Sequence, residues 1–144
     1  MHVDQSYVGA EVVLRWNLPA SEIDEFLASG SRFQIVNVWR PVRTVTRDPL
    51  ALAASWSVPE EDLVPGPIIY PDRRGEAWTV RHSIGHRWFF KSAQTPGEIW
   101  LVKCFDSRAD VARRTPHSAL DDPEAFGGAR ESVEVRALVL HDSP

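Results

Sequence analysis

A chain of 144 residues is long enough to bury a real core and too short for two ordinary domains. Hydrophobic residues at 43%, charged residues at 25% and aromatics at 10%, six of them Trp, exclude a disordered chain. A net charge of −4 without any Lys/Arg block argues against nucleic acid or an anionic membrane as partner, and leaves a small molecule.

The single Cys104 rules out an internal disulfide framework and fits a reducing compartment. No stretch reaches the roughly 18 apolar residues of a membrane span, and the first residues lack a basic-then-apolar signal pattern. A cytoplasmic protein is expected, with homo-oligomer formation left open.

In chain order, residues 10–16 alternate around Val12, Val13 and Leu14 and are predicted as a strand. Residues 21–27 have helix character, with Ser21 as cap, acids in the first turn and Gly30 as stop. Residues 33–39 form a strong apolar strand ending at Arg40-Pro41. Residues 48–67 are a Pro-rich connection in which 50–56 can make a helical turn. Residues 78–82, 86–90, 99–105 and 133–140 read as strands, with a tight turn at Pro96-Gly97. A polar loop runs from Asp106 to His117, and a second spans 121–128. Many short strands and one or two short helices predict an all-β sandwich or barrel.

His2 and Asp4 form a His-x-Asp pair. Two apart on an extended strand they share a face. They can therefore hold one metal ion from adjacent corners, with a second His from further along completing the set. Two histidines and a carboxylate leave coordination positions open, as in non-haem Fe(II) oxygenases. The pair alone is common by chance. Its company gives it weight: His117 stands in Thr115-Pro116-His117-Ser118, and Arg130-Glu131-Ser132 follows. If extended, Arg130 and Ser132 share a face, where a guanidinium and a hydroxyl suit a carboxylate. That order meets the needs of an Fe(II)/2-oxoglutarate oxygenase: three metal ligands, then a clamp for the far carboxylate of the co-substrate.

Each assignment has a plainer competitor. His2 and Asp4 can be a frayed end, and His117 a loop histidine bonded to backbone. His82 and His86 compete for the third ligand position, but they lie four apart at a strand–turn–strand junction, where they would not share a face. His86 is otherwise expected to line the pocket or the core. Arg136, six residues beyond Arg130 and on the same strand face, is the alternative clamp; a surface salt bridge is the bland role for both. Asn37, Trp39 and Arg40 end an apolar strand and are candidates for pocket contacts. Lys103 alternates into an apolar strand and is expected to point into the barrel. Cys104 has no basic neighbour and is read as buried. No Ser-His-Asp order, phosphate-binding Gly loop or Cys-pair metal site is present.

Seven segments in order carry a more specific likeness. They are His2-Val3-Asp4-Gln5-Ser6, Asn37-Val38-Trp39-Arg40-Pro41, Asp48-Pro49-Leu50-Ala51-Leu52, Gly85-His86-Arg87-Trp88, Lys103-Cys104-Phe105-Asp106-Ser107, Thr115-Pro116-His117-Ser118-Ala119 and the run from Arg130 through Ala137. Over nearly its whole length the chain resembles the hydroxylase/desaturase group that includes gibberellin desaturase-like fungal proteins and the J component of cephamycin 7α-methoxylation. The resemblance implies a double-stranded β-helix, or jelly roll, with Fe(II) and 2-oxoglutarate as cofactors. It implies hydroxylation or desaturation of a secondary metabolite. The metal ligands would be His2, Asp4 and His117, and Arg130 with Ser132 would hold 2-oxoglutarate. Some members carry a methyltransferase label, but the Gly-rich motif for S-adenosylmethionine is missing.

Members of that group usually carry a long N-terminal half before the His-x-Asp pair. The expectation for residues 1–144 is therefore one C-terminal-half jelly-roll domain, incomplete at a sheet edge and truncated or mis-started at the front. The rival expectation is a non-catalytic small-molecule-binding β-sandwich, a remnant of such an enzyme.

Overall fold

The computed structural model describes residues 1–141. Nine strands and two helices follow in chain order: β1 (His2–Val3), α1 (Tyr7–Asn17), α2 (Ala20–Ala28), β2 (Phe33–Pro41), β3 (Leu50–Ala53), β4 (Leu63–Ile69), β5 (Arg74–Val80), β6 (Trp88–Phe90), β7 (Trp100–Asp106), β8 (His117–Ala119) and β9 (Ser132–Leu140), with two single 3-10 turns between β3 and β4. They build a six-stranded sheet in the order β4-β5-β1-β8-β3-β6 and a three-stranded sheet in the order β7-β2-β9. Every pairing is antiparallel.

β2 organises the smaller sheet. Its odd-numbered residues Phe33, Ile35, Asn37, Trp39 and Pro41 are all buried, the period of two that a strand imposes on side chains. Phe33, Ile35 and Trp39 pack with Val102, Cys104 and Phe105 of β7, Ala10 and Leu14 of α1, and Leu50 of β3 in the main core. A smaller cluster gathers Ala53, Val58, Leu63 and Val80, with Trp78 and Trp88 against it. Asn37 is thus a fully buried amide in the middle of an apolar row, and a buried amide calls for polar partners.

A bulge lies in the β2–β7 pairing: Ile35 faces Phe105 and Val36 faces Lys103, so Cys104 is the extra residue. The two consecutive side chains Cys104 and Phe105 are consequently both buried.

Four sequence expectations need correction. Residues 10–16, read as a strand, belong to α1. Ser6 caps it by accepting the Gly9 N–H at 2.9 Å, and Ala10 and Leu14, one helical turn apart, are its buried stripe. Gly9 lies so close to β5 that a Cβ there would overlap the Glu76 carbonyl oxygen. Residues 50–53, read as helical, are β3, drawn into the sheet by β6 and β8 on its two sides. Residues 63–69, read as connection, are β4; it is an edge strand, where Pro65 and Pro67 cost no ladder bond. His117, read as the end of a loop, opens β8, while His82 and His86 lie in the β5–β6 connection.

Candidate metal centre

β1 and β8 are neighbours, and their register sets His2 directly opposite His117. The two rings meet edge to face with centroids 4.4 Å apart. The chain leaves β1 at Asp4, whose Oδ1 lies 3.2 Å from His2 Nε2 and 3.5 Å from His117 Nε2. Ligand atoms of all three residues lie within 4.8 Å of one another. Asp4 and His117 are largely buried, whereas His2 is half exposed.

The two oxygens of Asp4 divide their work. Oδ1 faces both imidazoles. Oδ2 accepts hydrogen bonds from Arg136 Nη2 at 2.6 Å and Asn37 Nδ2 at 2.6 Å, with the Cys104 thiol at 3.7 Å. Arg136 and Asn37 are opposed across β9 and β2, and Arg136 Nε also donates to Asn37 Oδ1 at 3.1 Å. Asn37 spends its second donor on Glu134 Oε1 at 2.7 Å. The buried amide of β2 is thereby satisfied, and the carboxylate it supports is fixed in rotation.

Burial disfavours the ionised Asp4. Hydrogen bonds from His117 and His2, then the charges of His117 and Arg136, outweigh it and hold the carboxyl well below the usual carboxylate range. Burial likewise opposes protonation of His117, but hydrogen bonding to Asp4 and to the Thr115 carbonyl turns the balance and raises its pKa. Burial, with the Asp4 charge nearby, pushes the Cys104 thiol up, so this cysteine is inert as a nucleophile at neutral pH.

His117 Nδ1 lies 3.0 Å from the Thr115 carbonyl oxygen. A carbonyl only accepts, so Nδ1 carries a proton, while Nε2 faces Asp4, donating to it when protonated and free to offer its lone pair to a metal when not. A backbone carbonyl behind one nitrogen is how metal-ligating histidines are held. Two imidazole nitrogens and one anionic oxygen at these separations fit a first-row divalent metal with further positions open.

The other sequence candidates separate. Trp39 is two residues along β2 from Asn37 and on the same inner face, about 7 Å away at strand spacing. The Arg130 guanidinium lies over the Trp39 ring, 5.3 Å from its centroid, with Nη1 donating to the Asp48 carbonyl. Ser132 is exposed at the start of β9, opposite Pro41. Three pocket expectations are corrected. Arg40 points outward, the one exposed position on β2, and donates to the Pro96 carbonyl at 2.7 Å. Lys103 pairs with Asp106 at 2.8 Å and donates to the Ala112 carbonyl; it stands opposite Val36 on the outer face, between the inward Val102 and Cys104. His86 is buried with Nε2 2.8 Å from Asp62, which accounts for its burial without any pocket.

Sequence reasoning missed Glu134, Thr115 and the contact of Cys104 with Asp4. Glu134 had a signal, since it shares the period-two face of β9 with Arg136, as Cys104 shares that of β7 with Val102; a backbone carbonyl has none.

A family model described as the oxidoreductase/YMDC permease-like domain matches residues 1–140. No helix among the described residues is long and apolar enough to cross a membrane. The hydroxylase/desaturase CTB9 of Cercospora beticola is 40% identical over 97% of this chain and 46% of its own length. The gibberellin cluster GA4 desaturase of Gibberella fujikuroi is 32% identical over 77% of this chain and 35% of its own. Among solved structures, an iron and alpha-ketoglutarate-dependent endoperoxidase, NvfI, superposes with a TM-score of 0.83 at 28% identity, over 99% of this chain and 53% of that one. The mostly-β, jelly-roll type of fold expected from sequence is thereby borne out. The chain spans about half the length of the relatives it matches. It belongs to the oxidoreductase/YMDC permease-like domain family and is a homologue of fungal hydroxylase/desaturases.

Proposed function

We propose that this chain carries the metal and co-substrate site of an Fe(II)/2-oxoglutarate-dependent oxygenase that hydroxylates or desaturates a small secondary metabolite. His2, Asp4 and His117 would hold Fe(II). Arg130, aided by the Ser132 hydroxyl, would take the far carboxylate of 2-oxoglutarate. Among the described residues Arg130 spends one nitrogen on the Asp48 carbonyl, and its face on Trp39, so in-plane donors remain for an anion. Arg136 is already committed to Asp4 and Asn37, which suits it to holding the ligand set rather than a co-substrate.

The bound iron, 2-oxoglutarate and O2 supply the oxidising chemistry, with succinate and CO2 as by-products and an oxidised C–H as the outcome. The protein's share is positional. Thr115 fixes the His117 tautomer, Asn37 and Arg136 fix Asp4, and Trp39 forms an apolar wall between the metal end of the site and Arg130.

The observation that carries this reading is the meeting of both histidine Nε2 atoms at one oxygen of a buried, doubly anchored carboxylate. Calorimetric titration of Fe(II) under anaerobic conditions tests it. One equivalent should bind; His117→Ala should abolish binding and His86→Ala should spare it. The reverse pattern would transfer the third ligand to His86.

A further inference from the structure

Asp4 and Arg136 also form the inner end of a cleft of about 310 Å³ between α1, the β4–β5 hairpin and β9. Its volume is at the lower end of small-molecule sites. Val13, Ile68 and Leu138 supply apolar wall. At the rim, the Arg73 guanidinium carbon lies 4.1 Å from the Tyr70 ring centroid and 5.0 Å from that of Trp16. Stacking uses the faces of a guanidinium and leaves its in-plane N–H groups, of which Arg73 spends one on a long 3.3 Å contact with Asp72. Deeper in, Gln5 is 96% buried, and its Oε1 has no hydrogen-bond partner. That oxygen is closed to the cleft as well, so it weighs on stability rather than on binding.

We propose that this cleft binds the organic substrate, and that the substrate is an apolar, ring-sized molecule carrying a carboxylate. The carboxylate pairs with Arg73 at the rim, and the apolar body lies against α1 and Leu138. The far end then rests beside Asp4. The assignment as substrate rests on the iron-site reading; the preference for an apolar acid rests on the cleft alone.

Two arms test them separately, with 1-naphthaleneacetate as probe. In the metal-free chain the acid should bind saturably, and 1-naphthaleneethanol, its uncharged counterpart, roughly tenfold more weakly. Arg73→Met should bring the acid down to the level of the alcohol. Gln5→Leu should raise Tm while leaving the charge preference in place. Absence of saturable binding, or equal binding by the parent and Arg73→Met chains, would overturn the cleft. In the second arm Mn(II) replaces iron, and relaxation of the naphthyl protons is measured by NMR. Accelerated relaxation supports the substrate assignment; bound Mn(II) without it removes that assignment. If Mn(II) fails to bind while the acid still does, the iron-site reading and the substrate role fall and the carboxylate site stands.

Discussion

Asn37 and Arg136 face each other across β2 and β9, and each donates a 2.6 Å hydrogen bond to the same oxygen of Asp4. The smaller sheet thus grips Asp4, the candidate ligand whose neighbours His2 and His117 belong to the larger one. The candidate metal centre is the point where the two sheets are tied together.

Removing that grip should loosen the metal without removing a ligand. Arg136→Met is expected to weaken Fe(II) or Mn(II) binding about 10- to 100-fold, the usual size of an outer-shell effect. Asn37→Leu should act similarly, and the double variant should fall short of the sum because both act on one oxygen. Titration of each variant, with circular dichroism to verify folding, checks this.

Arg130→Met should show the complementary pattern. It removes the guanidinium stacked on Trp39 and none of the proposed metal ligands. The 2-oxoglutarate concentration at half-saturation should rise at least tenfold, in line with loss of a charge-assisted bond, while metal affinity is unchanged. If Arg136→Met raises it and Arg130→Met does not, the clamp is Arg136.

Gly9→Ala tests the packing of α1 on β5. A Cβ at this position would overlap the Glu76 carbonyl oxygen, and both partners are backbone, so the helix must shift. A loss of about 2–3 kcal/mol is expected, seen as a fall of roughly 5–10 °C in Tm.

Asp106 sets an acid limit on stability. Burial opposes its charge, but hydrogen bonds from Arg32 and Lys103 and the Arg108 backbone N–H prevail, so its pKa is lowered in the fold from the ordinary 3.8. The folded chain then binds fewer protons here than the unfolded one. The stabilisation is complete above pH 3.8 and is lost as pH falls from there toward the depressed value. Denaturant midpoints should decline over that acid range, and Asp106→Asn should flatten the decline while lowering stability at neutral pH.

The sequence was most legible where a single period governed. β2 alternates over nine residues, and α2 was readable from its acidic first turn and its Gly30 stop, although Ser21, expected as cap, lies inside a helix whose N-cap is Pro19. α1 was not, because Val12 and Val13 favour strand locally while the deciding contact, Gly9 against Glu76, is 67 residues away in sequence. β3 and β4 failed for related reasons: Leu50–Ala53 has weak strand propensity and is held by neighbours, and β4 tolerates its prolines because it lies at an edge. For the candidate site, residue types and order pointed to His2, Asp4 and His117 before any geometry. The separate surroundings of Arg130 and Arg136 could not be read: Arg136 lies on β9 opposite Asn37 and beside Asp4, whereas Arg130 precedes the strand and stacks on Trp39. Lys103 was misjudged although the pattern carried the answer: Val102 and Cys104 on either side of it take the inner face and leave Lys103 the outer one.

The central claim is that His2, Asp4 and His117 hold iron beside a 2-oxoglutarate site. Anaerobic addition of Fe(II) and then 2-oxoglutarate to the folded chain, followed by visible absorption, tests it most directly. The expected result is a weak metal-to-ligand charge-transfer band that requires both additions and is lost in His117→Ala. A folded sample that binds neither reagent and gives no band would contradict it.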